Sequence, residues 1–149
     1  MTGLNHVIVN RKLQKIVKYL AALKPLANLD AATYLNDFNQ QLIAERLLHL
    51  IVEAAADLNF YLLVQSGHAP PETYYDSFTA AGQQGVIDLT LAQQLAPSAG
   101  LRNRLVHEYD EIDSLIVLQA IPFALDLYPK FVEQIQAYLT RNHSSLGDA

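Results

Sequence analysis

Cysteine is absent from the 149-residue chain, and charged residues make up only 17% of it. Without a thiol, the chain can form no disulfide, no thiolate metal site and no cysteine nucleophile. Basic residues number 10 and acidic residues 15, so the formal net charge is -5 and bulk charge does not favour binding to nucleic acid or to an anionic membrane. Any contact with phosphate groups must therefore come from a local patch of cations.

Several motifs and long apolar runs are also missing. The chain has no Gly-rich phosphate loop, no His-Glu-x-x-His and no serine elbow, so nucleotide hydrolysis, zinc proteolysis and esterase chemistry have no motif support. The apolar run Val7 to Val9 falls short of the ~7 to 15 residues of a secretory signal. The richest apolar stretch, Ser114 to Leu125, falls short of the ~18 to 20 residues that span a bilayer. We expect a cytoplasmic protein without membrane contact.

What the chain does contain favours one helical domain. Apolar residues make up 51%, which is typical of a soluble globule with a sizeable core. Alanine, leucine and glutamine are frequent, β-branched clusters are few, and no two-residue turn joins alternating strands. The sequence therefore predicts an all-α fold and a single domain over residues 1–149, with a frayed tail from about residue 142.

The spacing of apolar residues and of helix breakers predicts the individual helices. Pro25 closes a first helix, and Asp30 or Thr33 caps a second that ends at Ser66-Gly67. Pro97 and Gly100 bend or break a later helix. The predicted helices are about 4–23, 31–65 (the longest), 74–81, 89 or 91 (after a cap at Asp88 or Thr90) to 105, and 114–140. Three long helices and a composite shorter one predict an elongated antiparallel four-helix bundle with an extra short helix.

The stretch from Leu47 to Val64 is apolar around most of the helix circumference. We expect that a monomeric bundle cannot cover all of this surface, so a second copy of the chain would cover part of it. The sequence therefore predicts a homodimer.

One polar line runs along that apolar helix. Its members, spaced four apart, lie on nearly one face and are Glu45, His49, Glu53 and Asp57. The line is either a solvated edge, in which His49 pairs with its acidic neighbours, or the wall of a cleft. A di-metal site is disfavoured because such bundles use Glu-x-x-His pairs on two helices, which this chain lacks.

The segment from Leu101 to Asp113 gathers groups that handle phosphate. Arginine offers a permanent planar cation, and histidine, with an ordinary pKa of ~6.5, suits proton transfer near neutrality. On a continuous helix, the side chains of residues 102 and 107 point ~140° apart around the helix axis. For both to contact one phosphate, either the helix ends near Val106 or the two groups meet across a dimer axis. An ordinary salt-bridged helix end, with Arg104 paired to Glu108, is the alternative. The candidate residues are Arg102, Asn103, Arg104, His107 and Tyr109.

This segment resembles the R-x4-H-x-Y signature of HepT toxins, a branch of the HEPN superfamily. The matching residues are Arg102, His107 and Tyr109, with Asn103 directly after the arginine. The order of helices and a Glu-Ala-Ala-x-Asp string at Glu53–Asp57 extend the resemblance over nearly the whole chain. Two prolines in the last helix, at positions 122 and 129, depart from the pattern and put the straightness of that helix in doubt.

The resemblance implies a metal-independent endoribonuclease toxin of a bacterial toxin–antitoxin pair, acting as a homodimer with both motifs in one cleft. RNA is the implied substrate, DNA is not, and no cofactor is needed. His107 would transfer protons and Arg102 would hold the phosphate. The implied supporting residues are Asn103, Arg104, Glu53 and Asp57.

The resemblance also implies a partner. A minimal nucleotidyltransferase antitoxin of the MntA kind would neutralise the toxin by attaching AMP units to Tyr109. Because Tyr109 is two residues beyond His107, the added phosphates would occupy the place of substrate phosphates as a tethered ligand.

Two other functions stay open at this point. The first is a non-catalytic HEPN-like module that binds a nucleotide or a protein, which the neighbouring acids Glu108, Asp110, Glu111 and Asp113 favour because acids repel RNA. The second is a plain helical dimerisation protein.

Overall fold

The computed structural model describes residues 4–107 and 112–147, with side chains described up to residue 142. The described part of the chain is helical and its buried side chains form one core cluster, as the sequence predicts for an all-α bundle. The helices are α1 (His6–Leu23), α2 (Ala31–Leu35), α3 (Phe38–Gln65), α4 (Tyr74–Gln83), α5 (Leu89–His107) and α6 (Ser114–Gly147), with a 3-10 turn at Lys24–Asn28.

The helix predicted over residues 31–65 is interrupted at Asn36 and Asp37. The Asn36 side chain donates a hydrogen bond to the carbonyl oxygen of Ala32, and the Asp37 carboxylate accepts one from the backbone N–H of Gln40. Both side chains satisfy backbone groups locally, which ends α2 and caps α3. The prediction of one continuous helix was therefore wrong, and so was the prediction that it is the longest, because α6 has 34 residues and α3 has 28.

The central helix of the bundle is α3, which packs against α1, α4, α5 and α6. Between Leu47 and Val64, only Val64 is exposed. Four other helices of the same chain cover most of this stretch, but Leu47, Leu50, Phe60 and Tyr61 stay partly exposed, so the cover is not complete. The homodimer stays a prediction.

Helices α5 and α6 continue through their prolines. Pro97 lies inside α5, and Pro122 and Pro129 lie inside α6, so each costs a backbone hydrogen bond without ending its helix. Of the bend or break predicted at Pro97 and Gly100, the break is absent because α5 is continuous, and the bend stays a prediction. Helix α6 extends to Gly147, beyond the predicted end near residue 140, while fraying of the tail stays a prediction.

Two helices are long and apolar enough to cross a membrane by length and composition alone, namely Phe38–Gln65 and Ser114–Asn142. The test is weak, because the core helix of a soluble protein passes it equally, and 56% of the apolar window of α3 is buried inside the bundle. The fold is consistent with a soluble protein.

A groove between α5 and α6 leaves large apolar side chains in solvent. Phe123 is 68% exposed, and Ile116, seven residues earlier on the same face of α6, is also exposed. Leu101 and Arg104 of α5 line the other wall of this α5–α6 groove. The groove therefore begins inside the segment that carries the R-x4-H-x-Y pattern.

Candidate active site around Arg102

Arg102 points from α5 toward the central helix α3. Its side chain is only 17% exposed, and its Nη2 donates a hydrogen bond to Glu53 Oε2 at 3.1 Å. Its Nη1 donates to Asn103 Oδ1 at 3.3 Å. The guanidinium carbon lies 4.4 Å from the ring centroid of Tyr74, which is a cation–π contact. Three neighbours therefore fix the orientation of this cation.

The polar line on α3 forms one wall of this site. His49 Nε2 lies 2.7 Å from the same Glu53 Oε2, and Arg46 Nη1 lies 3.2 Å from His49 Nδ1. Because a guanidinium can only donate, His49 Nδ1 accepts and its Nε2–H donates to Glu53, which is the arrangement of a neutral imidazole. His49 thus pairs with its acidic neighbour Glu53, as the solvated-edge alternative predicts, while Glu53 also contacts Arg102 of α5, so the cleft wall stays a prediction.

Glu53 is kept ionised by its two neighbours. Burial raises the pKa of Glu53, but the hydrogen bonds from Arg102 and His49 and the charge of the Arg102 guanidinium outweigh it, so the pKa lies below its ordinary value. An ionised Glu53 therefore faces Arg102 throughout the neutral range.

Asp57, one turn further along α3, has a different partner. Its Oδ2 accepts a hydrogen bond from Lys12 Nζ at 3.2 Å, which joins α3 to α1. Of the two carboxylates expected to steer Arg102, Glu53 makes the contact and Asp57 does not. Asp57 borders the site instead.

Tyr74 was missed at the sequence level. It is the first residue of α4, capped by the Thr73 hydroxyl, and its ring also packs edge-on against Phe60 of α3 with 5.9 Å between centroids. Burial raises the pKa of Tyr74, so its hydroxyl stays neutral near pH 7. No pattern in the chain marks this tyrosine, because it reaches Arg102 only through the packing of α4 on α5.

The other motif residues lie at the end of α5. His107 is the last residue of the helix and is exposed, and so are Asn103 and Arg104. Since α5 is continuous through His107, Arg102 and His107 diverge by ~140° about its axis. The structure therefore does not bring them together within one chain. Tyr109 lies outside the described residues.

Metal ligands are not clustered at this site. Within residues 4–107 and 112–147, no group of three His, Asp or Glu side chains is arranged to hold a metal ion.

Comparison with known proteins decides the family. The ribonuclease HepT-like family model matches residues 11–135. The tRNA nuclease HepT of Aphanizomenon flos-aquae is 46% identical over 139 residues, covering 93% of this chain and 95% of that protein. The chain belongs to the ribonuclease HepT-like family. The resemblance drawn from the R-x4-H-x-Y pattern is thereby confirmed.

More distant HepT relatives match about nine-tenths of the chain. The mRNA nuclease HepT of Shewanella oneidensis is 28% identical and covers 90% of this chain and 99% of that protein. Among solved structures, a tri-AMPylated Shewanella oneidensis HEPN toxin in complex with MNT antitoxin superposes with a TM-score of 0.80 at 27% identity, covering 90% of this chain and 99% of that one. The bundle is a HEPN fold.

Proposed function

We propose that this chain is a metal-independent endoribonuclease toxin of a bacterial toxin–antitoxin system, acting in the cytoplasm as a homodimer. The observation that carries the proposal is Arg102, a motif cation held between Glu53 and Tyr74 in a chain of the ribonuclease HepT-like family. Its relatives are named as tRNA and mRNA nucleases.

RNA carries its own nucleophile, which limits what the protein must supply. The 2'-hydroxyl attacks the adjacent phosphorus, its proton passes to a base, and the bond from phosphorus to the 5'-oxygen breaks as that oxygen takes up a proton. The products are a cyclic phosphate and a 5'-hydroxyl. His107, which is exposed at the end of α5, would transfer these protons, each step contributing ~10² to 10⁴ in rate.

Arg102 would stabilise the negative charge that develops on the phosphorane. A guanidinium has five N–H donors, and among the described residues only two nitrogens of Arg102 have acceptors, while its buried Nε has none there. Glu53 fixes the plane of the group without using all its donors. A preorganised cation of this kind costs no reorganisation when the charge appears. Asn103 and Arg104, both exposed beside it, would contact neighbouring phosphate oxygens.

The divergence of Arg102 and His107 requires a second chain. We place the partner against the α5–α6 groove, because its exposed Phe123 and Ile116 need covering and because Arg104 of the motif lines it. In such a dimer, Arg102 of one protomer faces His107 of the other. Both motifs then share one cleft, and neither protomer cleaves RNA alone.

Control of the toxin would come from a minimal nucleotidyltransferase that transfers AMP to Tyr109. One structural neighbour is a tri-AMPylated HEPN toxin bound to an MNT antitoxin. On this chain, the tyrosine hydroxyl would attack the α-phosphorus of ATP and release pyrophosphate, leaving AMP linked through a phosphodiester. The added phosphates would then pair with Arg102 and Arg104 and exclude RNA.

The proposal is tested by expressing the chain in a bacterial host with and without its transferase partner. We expect growth to slow when the chain is expressed alone and to recover with the partner, or with Arg102→Ala or His107→Ala. Toxicity that persists in both variants, with unchanged helical circular dichroism, would remove these residues from catalysis. It would favour a non-catalytic binding module.

A further inference from the structure

Basic residues are distributed unevenly along this acidic chain. Five of the ten lysines and arginines lie before residue 30, and the first acidic residue is Asp30. The first 29 residues therefore carry a formal charge of +5, and the remaining residues carry -10. A local excess of cations, which RNA binding requires in a protein of net charge -5, therefore lies in the first 29 residues.

Helix α1 gathers these cations on one face. Arg11, Lys15 and Lys18 are spaced four and three apart, so they lie within ~60° of one another about the helix axis and within ~11 Å along it. All three are exposed. The opposite face is the buried stripe Val9, Leu13, Ile16, Leu20 and Leu23. We call Arg11, Lys15 and Lys18 the basic face of α1.

Nothing in the described part of the chain neutralises the basic face. Its three cations make no ion pair there, whereas Lys130 pairs with Asp126 at 3.7 Å. Where α6 approaches α1, it contributes the uncharged Val132 and Gln136. Like charges held together on a helix repel one another, and a polyanion relieves that repulsion.

The basic face continues into the active site. Lys12, beside Arg11 on α1, pairs with Asp57, and Asp57 lies one turn of α3 from Glu53, which holds Arg102. The ring of Tyr74 stacks on the same Arg102, with 4.4 Å between the guanidinium carbon and the ring centroid. A strand whose scissile phosphate sits at Arg102 thus meets α1 on one side.

We propose that the basic face of α1 binds the phosphodiester backbone of the RNA substrate on one side of the scissile phosphate. This inference rests on the proposed ribonuclease function and adds to it the surface that guides the strand. A lysine ammonium group on its flexible stem acts as an adaptable point charge. It therefore suits a row of repeated phosphates better than it suits a single fixed contact with a protein. Phosphate contacts of this kind position a strand without reading its sequence.

The probe for this inference is a labelled single-stranded RNA in which every 2'-hydroxyl is methylated, so that it cannot be cleaved by its own hydroxyl. Its affinity is measured for the wild-type protein and for Arg11→Gln/Lys15→Gln/Lys18→Gln over a range of KCl concentrations. Each phosphate contact on a single strand adds ~0.7 to the slope of log affinity against log salt. We expect the triple variant to lower that slope by about 2 and to bind at least ~10-fold more weakly in low salt.

Two matched controls separate charge from structure. Lys15→Arg/Lys18→Arg keeps the cations, so we expect it to bind as the wild type does. Lys130→Gln removes one exposed lysine from α6, and we expect it to leave the slope unchanged, whereas Lys15→Gln alone lowers it by ~0.7. The three residues of the basic face are exposed, so helical circular dichroism should be the same for all variants.

An unchanged slope and affinity in the triple variant would overturn the inference. The same holds if RNA binding is unchanged but the nucleotidyltransferase no longer co-purifies, since the face would then serve a protein partner. Cleavage of bulk RNA separates this failure from that of the proposed function. If wild-type protein cleaves RNA and the triple variant does so equally well, only the inference fails, whereas a wild type without activity contradicts the ribonuclease itself.

Discussion

Arg102 of α5 and Glu53 of α3 form a hydrogen-bonded ion pair, with 3.1 Å between Nη2 and Oε2. The pair is 49 residues apart in sequence and joins the motif helix to the central helix. Because His49 donates to the same carboxylate oxygen and Tyr74 lies under the guanidinium, the cation has little freedom to turn. The Arg102 guanidinium is therefore already oriented before any substrate binds.

Removing the charge of Glu53 should lower activity more than stability. We expect Glu53→Gln to reduce kcat about 10- to 100-fold, since a hydrogen bond to a charged group contributes ~1.5 to 3 kcal/mol when it positions the reacting charge. The side chain is 38% exposed, so the loss of folding free energy should be at most ~1 kcal/mol. Steady-state cleavage and urea unfolding measure the two effects.

Asp57→Asn is the matched control for that variant. It neutralises a carboxylate one turn away whose partner is Lys12, so kcat should stay within ~3-fold of the wild-type value. Equal losses in both variants would show that general negative charge on α3, rather than the Arg102 contact, matters.

The ring of Tyr74, rather than its hydroxyl, should matter for the position of Arg102. We expect Tyr74→Phe to retain nearly full activity and Tyr74→Leu to lose ~2- to 30-fold in kcat, because a cation–π contact contributes ~0.5 to 2 kcal/mol. The readout is the ratio of kcat between the two variants, with KM nearly unchanged. A Phe variant as inactive as the Leu variant would instead assign the role to the hydroxyl.

The fold was predictable from the sequence where local chemistry decides it. The buried stripe of α1 and the capping residue Asp30 follow from spacing and side-chain type, and the side chain of Asp30 accepts from the Thr33 N–H as expected. The same rules could have predicted the break at Asn36, because Asn and Asp side chains often end a helix. The apolar spacing on both sides of it indicated one continuous helix instead.

The site was only half predictable. Arg102 and Glu53 carry a recognisable pattern, but which carboxylate contacts the arginine depends on the rotation of α3 against α5. Tyr74 reaches Arg102 only through the packing of α4. The surface left uncovered also depends on packing, so the sequence alone did not show how much of the apolar stretch of α3 the other helices would bury.

The dimeric site predicts complementation between two inactive variants. Co-expressed Arg102→Ala and His107→Ala chains form mixed dimers in which one Arg102 faces one intact His107 of the other chain. With random pairing, about a quarter of the wild-type sites are restored. We expect RNA cleavage by the mixture to reach roughly that fraction, while each variant alone is inactive. Mixed dimers without activity would place both groups of a working site on one chain.

Tyr109 should be the acceptor of AMP. After co-expression with the partner transferase, we expect the peptide that holds Tyr109 to gain mass in multiples of one AMP residue and the protein to lose ribonuclease activity. Tyr109→Phe keeps the ring and lacks the acceptor hydroxyl, so it should gain no mass and should stay active. A fully inhibited complex with unmodified Tyr109 would favour simple steric blocking by the partner.

Cleavage of bulk cellular RNA in the presence of a metal chelator tests the account most directly. Purified wild-type protein should cut RNA in excess EDTA and leave products that end in cyclic phosphate, since the 2'-hydroxyl is the nucleophile and the charge of the phosphorane is met by Arg102. Under the same conditions, Arg102→Ala and His107→Ala should lose at least ~100-fold in rate with unchanged helical circular dichroism. Cleavage that stops with EDTA and returns with a divalent cation, or that continues at full rate in both variants, would contradict it.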